Sequence, residues 1–275
     1  MSPETARYAL FGNPVGHSLS PAMHNAAYEA MGLSARYLAI PVEDAGAIPG
    51  IMEEKGIRGA SVTLPHKRAI LGHLDEASPA CGRIGAANTL VRKGDRLRGE
   101  NTGWEGFVLS IRECLEIRGK VFAVVGAGGA AHAAVYGILE EGGTPVVINR
   151  SPDTGRALAE RFGCPFVPLE EAGRVEASCL VQATSVGITA APDWPLKGPV
   201  LSRFPWVMDM VYTPLRTAFL EEAERMGCRI IPGLAMFVYQ GAAQIRLWTG
   251  RRPPVETMRS IVLERLSHEG SEKGR

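Results

Sequence analysis

The sequence predicts an α/β protein of two domains. Three observations carry that reading: short apolar strands alternate with amphipathic helices along most of the chain, a glycine-rich turn joins a strand to a helix near its middle, and 275 residues exceed one minimal domain at roughly 150 residues each. Apolar residues make up 45% and charged residues 21%, the balance of a chain that folds throughout rather than one that stays disordered. Lys plus Arg total 30 against 29 for Asp plus Glu, so a net charge of +1 supplies no field for nucleic acid or an anionic membrane, and a small-molecule substrate is expected. The five cysteines, Cys81, Cys114, Cys164, Cys179 and Cys228, are scattered and lack a C-x-x-C pair. They read as free thiols of a reducing cytosol, with neither a disulfide framework nor a zinc site.

The first residues lack the basic start and unbroken apolar run of a secretory signal, so export is not expected. Strands are expected over 7–11 and 36–42 with a helix over 21–31 between them; Ser20 is placed to cap that helix, Pro21 suits its first turn and Gly32 its end. A helix near 45–55 leads to a strand over 59–64. Segments 88–91 and 96–98 flank Lys93-Gly94-Asp95, a hairpin turn. A helix over 105–117 follows, and a domain boundary is placed near 102–106.

The stretch 121–139 invites a membrane test, since only His132 in it is ionisable and about 20 residues cross a bilayer. Gly126, Gly128, Gly129 and Gly137 interrupt it, and a β-rich run precedes an alanine-rich one, so strand, turn and helix fit better. Strands over 146–149, 179–183 and 207–211 continue the alternation, and the segments after Leu234 read as helical. Repeated β-α-β order calls for parallel sheets.

The turn Gly126-Ala127-Gly128-Gly129-Ala130-Ala131 aims backbone N–H groups and a helix dipole at a pyrophosphate; a purely structural glycine turn is the other reading. The next strand ends at Asn149-Arg150-Ser151, where an acidic residue would take the ribose hydroxyls of NAD. Arg150 instead offers a planar cation to a 2′-phosphate, which favours NADP, with NAD bound more weakly; a solvated arginine is the alternative.

Further motifs lie on either side of these. They are Phe11-Gly12-Asn13-Pro14-Val15-Gly16-His17-Ser18-Leu19-Ser20-Pro21, Val62-Thr63-Leu64-Pro65-His66-Lys67, Ala87-Asn88-Thr89-Leu90, Ala183-Thr184-Ser185-Val186-Gly187 and Gly233-Leu234-Ala235-Met236-Phe237-Val238-Tyr239-Gln240. In series, with order and spacing intact almost end to end, they resemble the shikimate dehydrogenase family. The resemblance implies an N-terminal α/β substrate domain of residues 1–103 plus 235–275, a Rossmann-like NADP-binding domain of 104–234, and a cleft separating them. It implies reversible NADP-dependent reduction of 3-dehydroshikimate to shikimate, on the chorismate route to aromatic amino acids, by a cytoplasmic monomer or homodimer.

By family position, Ser18 and Ser20 hold the substrate carboxylate, Thr63, Asn88 and Gln240 meet ring hydroxyls, and Tyr212 adds to the substrate site. Their hydroxyl and amide groups both donate and accept, as a polyhydroxylated ring demands. Gly126, Ala127, Gly128, Gly129, Ala130, Asn149, Arg150, Ser151, Thr184, Met210 and Gly233 fall on the cofactor side. Ordinary alternatives stand beside these roles: Ser20 as a helix cap, Thr63 as a strand residue, Asn88 and Gln240 as local backbone partners, Tyr212 as a packed aromatic. Lys67 follows Pro65 at what reads as a helix start, where the dipole disfavours a cation. In the family this position moves the proton at the reacting oxygen, and a partly buried lysine has its pKa lowered enough to do so; a solvated lysine is the alternative.

One departure bears on activity. The family pattern places an aspartate after Asn101-Thr102, where its carboxylate binds substrate and assists the lysine; here that position is Gly103. Glu100 and Glu105 are close in sequence but are not expected to point the same way. Ser61 stands where asparagine is usual, and Thr154 where a second arginine commonly flanks the 2′-phosphate, with Asp153 near enough to compete for Arg150. The alternatives are therefore a dehydrogenase for quinate or another cyclic hydroxy acid, and a nearly inactive NADP-binding homologue.

Overall fold

The computed structural model describes residues 5–184, 196 and 198–272, with side chains described to residue 268. The chain divides into two compact units, Met1–Thr102 with Val238–Arg275, and Gly103–Phe237.

In the first unit the elements run β1 (Ala6–Gly12), α1 (Ser20–Ala30), β2 (Ala35–Pro41), α2 (Ile48–Glu54), β3 (Ile57–Val62), β4 (Glu76–Ala77), α3 (Pro79–Ile84), β5 (Thr89–Lys93) and β6 (Arg96–Glu100). The sheet order is β2-β1-β3-β5-β6-β4. β1 pairs in parallel with β2 and β3, whereas β3 with β5 and β5 with β6 are antiparallel. The sheet is thus mixed rather than purely parallel: the Gly94 turn, at φ +61°, reverses the chain too tightly for a crossover helix. Phe11, Ile48, Met52, Ile57, Leu90 and Leu97 pack in its core, each such side chain contributing about 1.5–3 kcal/mol on burial.

The second unit runs α4 (Gly103–Arg112), β7 (Val121–Val125), α5 (Gly129–Glu140), β8 (Thr144–Asn149), α6 (Pro152–Phe162), β9 (Phe166–Pro168), β10 (Cys179–Gln182), β11 (Trp206–Asp209), α7 (Ala218–Arg225) and β12 (Arg229–Ile231). Among the described residues all its strands are parallel, in the order β12-β11-β10-β7-β8-β9, with the order reversing between β7 and β10. That is the Rossmann-like arrangement. Phe122 and Val124 enter one core while Ala123 and Val125 enter another, because helices cover both faces of a parallel sheet. Two helices close the chain, α8 (Leu234–Thr249) and α9 (Val255–Glu272). Among the described residues no helix is long and apolar enough to cross a membrane.

Local expectations need correction at three places. Ser20 is the first residue of α1 rather than its cap, and no side chain caps that end. β3 stops at Val62, leaving Thr63 beyond the strand, and Lys67 lies in a turn ahead of a 3-10 segment, Ala69–His73, rather than at an α-helix start. The dipole argument at Lys67 accordingly falls away. The helix expected over 105–117 is Gly103–Arg112.

Candidate active site

In the first unit, backbone bonds gather the proposed substrate residues at one end of the sheet. Val62 N–H donates to Asn88 O at 2.9 Å, Thr63 N–H to Phe11 O at 2.8 Å, and Ala87 N–H to Lys67 O at 2.8 Å. Asn88 is 4% exposed, and its Nδ2 donates to Gln240 Oε1 at 3.3 Å across 152 residues of sequence. The Asn88 amide thus meets Gln240 through Nδ2 and the Thr102 backbone N–H through Oδ1, at 2.8 Å, and neither partner is close to it in sequence. Thr63 is partly exposed. Ser18 Oγ accepts the Ser20 N–H at 3.2 Å, and the buried Ser20 makes no capping bond.

The Lys67 turn is held rigidly. His66 N–H donates to Thr63 O at 3.0 Å, Ile70 N–H to His66 O at 2.9 Å, and buried His66 Nε2 to Val42 O at 2.6 Å. Lys67 is only partly exposed, and no carboxylate pairs with its Nζ among the described residues. Desolvation by burial lowers its pKa below the ordinary lysine value. Glu100 is engaged elsewhere, accepting Arg98 Nε at 2.8 Å.

Gly103 opens α4, is buried, and has no positive φ. Its backbone is one that any residue adopts, so conformational need does not explain the glycine.

In the second unit, the proposed cofactor residues lie at or just past the C-terminal ends of β7, β8, β10, β11 and β12. Gly126 has φ +121°, and a Cβ there would sit 3.1 Å from Ala183 O and Thr184 Cγ2, so only glycine lets the turn pack on the end of β10. Ala127 and Gly128 complete the turn. Gly129 and Ala130 begin α5, which has no side-chain cap, so its first N–H groups suit an anionic ligand. Gln182 Nε2 donates to Thr184 Oγ1 at 2.7 Å, and Met210 N–H to Gln182 O at 3.1 Å. A Cβ on Gly233 would lie 2.7 Å from Met210 O. Asn149 Nδ2 donates to Ser151 O and Thr154 Oγ1, shaping the turn that carries Arg150. Arg150 is exposed and, among the described residues, unpaired, so the competition expected from Asp153 is absent. Arg156 lies over the Phe166 ring at 5.8 Å. The absence of an acidic group at the β8 end fits a 2′-phosphate. Tyr212 belongs to this unit, where it stacks on Phe237 with ring centroids 4.0 Å apart.

Residues 10–90 match the family described as shikimate dehydrogenase substrate binding domain, and residues 233–263 that described as shikimate 5'-dehydrogenase C-terminal domain. The NADP(+) shikimate dehydrogenase of Thermococcus kodakarensis is 42% identical over 270 residues, covering 96% of this chain and 98% of its own. The chain belongs to the shikimate dehydrogenase family. A corresponding enzyme of Thermus thermophilus is 44% identical over 252 residues, with 90% and 94% covered. A crystal structure of shikimate 5-dehydrogenase from Thermus thermophilus, in complex with NADP(H) and shikimate, superposes with a TM-score of 0.84 at 40% identity, covering 94% of this chain and 99% of that one.

Within this family member, sequence reasoning passed over a buried polar set beneath Asn88. It comprises Tyr37, Ser61, Thr89, Thr102 and Gln244, linked by hydrogen bonds of 2.6–3.1 Å. The one available signal was Gln244 itself, a polar residue one turn after Gln240 on an otherwise apolar helix face. Of the Ala183-Thr184-Ser185-Val186-Gly187 motif, residues 185–187 lie outside the described residues.

Proposed function

We propose that this chain is an NADP-dependent shikimate dehydrogenase, interconverting 3-dehydroshikimate and shikimate on the route to chorismate and aromatic amino acids. The observation that carries the residue assignment is Lys67: partly buried, without a carboxylate partner among the described residues, and bonded through its carbonyl to the residue before Asn88. Ser18 and Ser20 hold the ring carboxylate. Thr63, Asn88 and Gln240 orient the hydroxyls, with Tyr212 a further substrate contact. The glycine turn, α5 N-terminus, Asn149, Arg150, Ser151, Thr184, Met210 and Gly233 hold the cofactor.

NADPH, when bound, supplies the hydride that reaches the carbonyl carbon. Lys67 as ammonium gives a proton to the oxygen as negative charge develops there, and as neutral amine takes it back in shikimate oxidation. Its lowered pKa serves both directions, by making the ammonium a stronger acid and the amine more abundant near neutrality. We place the protein in the cytoplasm on the strength of its free cysteines, and take it to act as a monomer or homodimer.

Gly103 favours a second reading, a chain that binds both ligands and turns over slowly. A steady-state assay of this chain beside Gly103→Asp, with shikimate and quinate and with both nicotinamide cofactors, separates them. Turnover of shikimate with NADP supports the first reading. Binding of both ligands without turnover in either protein overturns it, and preferential quinate oxidation makes the chain a quinate dehydrogenase.

A further inference from the structure

We infer that Gln244 is a positioning residue that sets how Gln240 and Asn88 present their amides to the substrate; this rests on the shikimate dehydrogenase reading above. Gln244 is 4% exposed and lies one helical turn beyond Gln240 on α8, so the two side chains share a face. Its amide is bonded at both ends. Ser61 Oγ donates to Gln244 Oε1 at 3.0 Å, and Gln244 Nε2 donates to Thr89 Oγ1 at 3.1 Å. These bonds join α8 to β3 and β5, the strands that lead to Thr63 and follow Asn88.

The direction of each bond is dictated by its neighbour. Tyr37 Oη donates to Ser61 Oγ at 2.6 Å, which leaves the single Ser61 proton for Gln244 Oε1 and turns Nε2 toward Thr89. Thr89 Oγ1, having accepted from Gln244, gives its own proton to Asn88 Oδ1 at 2.8 Å. The Thr102 N–H also donates to Asn88 Oδ1 at 2.8 Å, so Asn88 Nδ2 faces Gln240 Oε1. Gln240 is thereby left with its Nε2 hydrogens for a ligand oxygen. The relay runs unbroken from the Tyr37 hydroxyl to the Gln240 amide, and Gln244 is the member that reaches it from the same helix as Gln240.

A merely structural role is separable, because α8 has a second anchor one turn on. Trp248 Nε1 donates to Leu90 O at 2.9 Å, and the Trp248 ring stacks on Tyr8. Loss of the Gln244 amide leaves that anchor in place and removes the register and polarity of the pair above it.

The test is a double-mutant cycle read by calorimetry. Gln244→Met keeps the length of the side chain and removes both bonds; shikimate affinity is expected to fall about 10-fold, with NADP affinity unchanged. In a Gln240→Ala background the same substitution is expected to cost less than about 2-fold, because the group it positions is gone. Parental shikimate affinity in Gln244→Met, or an equal loss in both backgrounds, overturns the inference. A ligand-free measurement runs beside it: the nuclear Overhauser contact between the Asn88 and Gln240 side-chain amides is expected to vanish in Gln244→Met, and its persistence counts against the inference. Absence of shikimate binding by the parent removes the functional reading, while the amide contact still decides the geometry. Should Gln244→Met not fold, Ser61→Ala removes the donor to Oε1, together with the acceptor of the Tyr37 hydroxyl, and carries both measurements, with an expected loss of about 3-fold.

Discussion

Asn88 Oδ1 accepts the backbone N–H of Thr102 at 2.8 Å, so the peptide immediately before Gly103 is fixed to a buried amide of the proposed substrate site. Asn101 is fixed as well, its Nδ2 donating to Ala86 O at 2.8 Å. The approach to position 103 is therefore shaped by the proposed substrate segment itself. A side chain introduced there starts from a backbone already in place.

The first prediction follows from that backbone. Gly103 lacks a positive φ and begins α4, where a carboxylate meets the favourable end of the helix dipole. Gly103→Asp is expected to fold and to raise kcat for shikimate by about 10²- to 10⁴-fold, the range for a charged substrate contact with acid/base assistance. Gly103→Ala is the control, expected to fold without the gain. Equal turnover in all three proteins would remove position 103 from the chemistry.

Lys67 supplies the second. Lys67→Ala should lower kcat by about 10²-fold or more while shikimate affinity changes less, since proton transfer acts in the transition state. In the parent, shikimate oxidation is expected to rise with pH through an apparent pKa below the ordinary lysine value, because burial disfavours the ammonium. If position 103 faces Lys67 as the family pattern implies, Gly103→Asp should move that inflection upward, because a carboxylate close to the ammonium favours the charged form. A profile identical in both proteins would separate the lysine from position 103.

The third concerns the cofactor. With Arg150 exposed and unpaired among the described residues, and Thr154 taken up by Asn149, one guanidinium is left for the 2′-phosphate. Arg150→Ala is expected to weaken NADP binding by about 1–3 kcal/mol and to leave NAD binding unchanged. Equal losses for both cofactors in calorimetric titrations would assign Arg150 to a part that they share.

The fourth pairs two buried groups with opposite linkage. Burial lowers the His24 pKa from 6.5 to about 4, so the unfolded chain takes up a proton first as pH falls, and stability declines from pH 6.5 to 4. Burial raises the Asp209 pKa from 3.8 to about 6, so the folded chain holds its proton longer, and stability declines as pH rises from 4 to 6. Each effect is on the order of 3 kcal/mol and the two offset each other. Urea midpoints of Asp209→Asn should therefore rise with pH between 4 and 6, and those of His24→Leu should fall. Slopes of the same sign in both variants would refute the pairing.

The sequence by itself determined the α/β alternation and the glycine turn after β7, because these depend on local periodicity and short-range backbone geometry. Gly126 needs φ +121°, and that need is visible as glycine in the chain. Gly94 marks the hairpin between β5 and β6 for the same reason. Tertiary structure decided what local rules leave open. The short β4, β9 and β12, two or three residues each, exist because a neighbouring strand supplies their partners, which no local pattern records. Lys67 left its predicted helix for a turn because the His66 bond to Val42 and the Ala87 bond to Lys67 hold the backbone from outside. Gln244 reads in the chain as one polar residue among apolar neighbours. Only folding brings it to Ser61 and Thr89, 183 and 155 residues away, where burial obliges both ends of its amide to find partners.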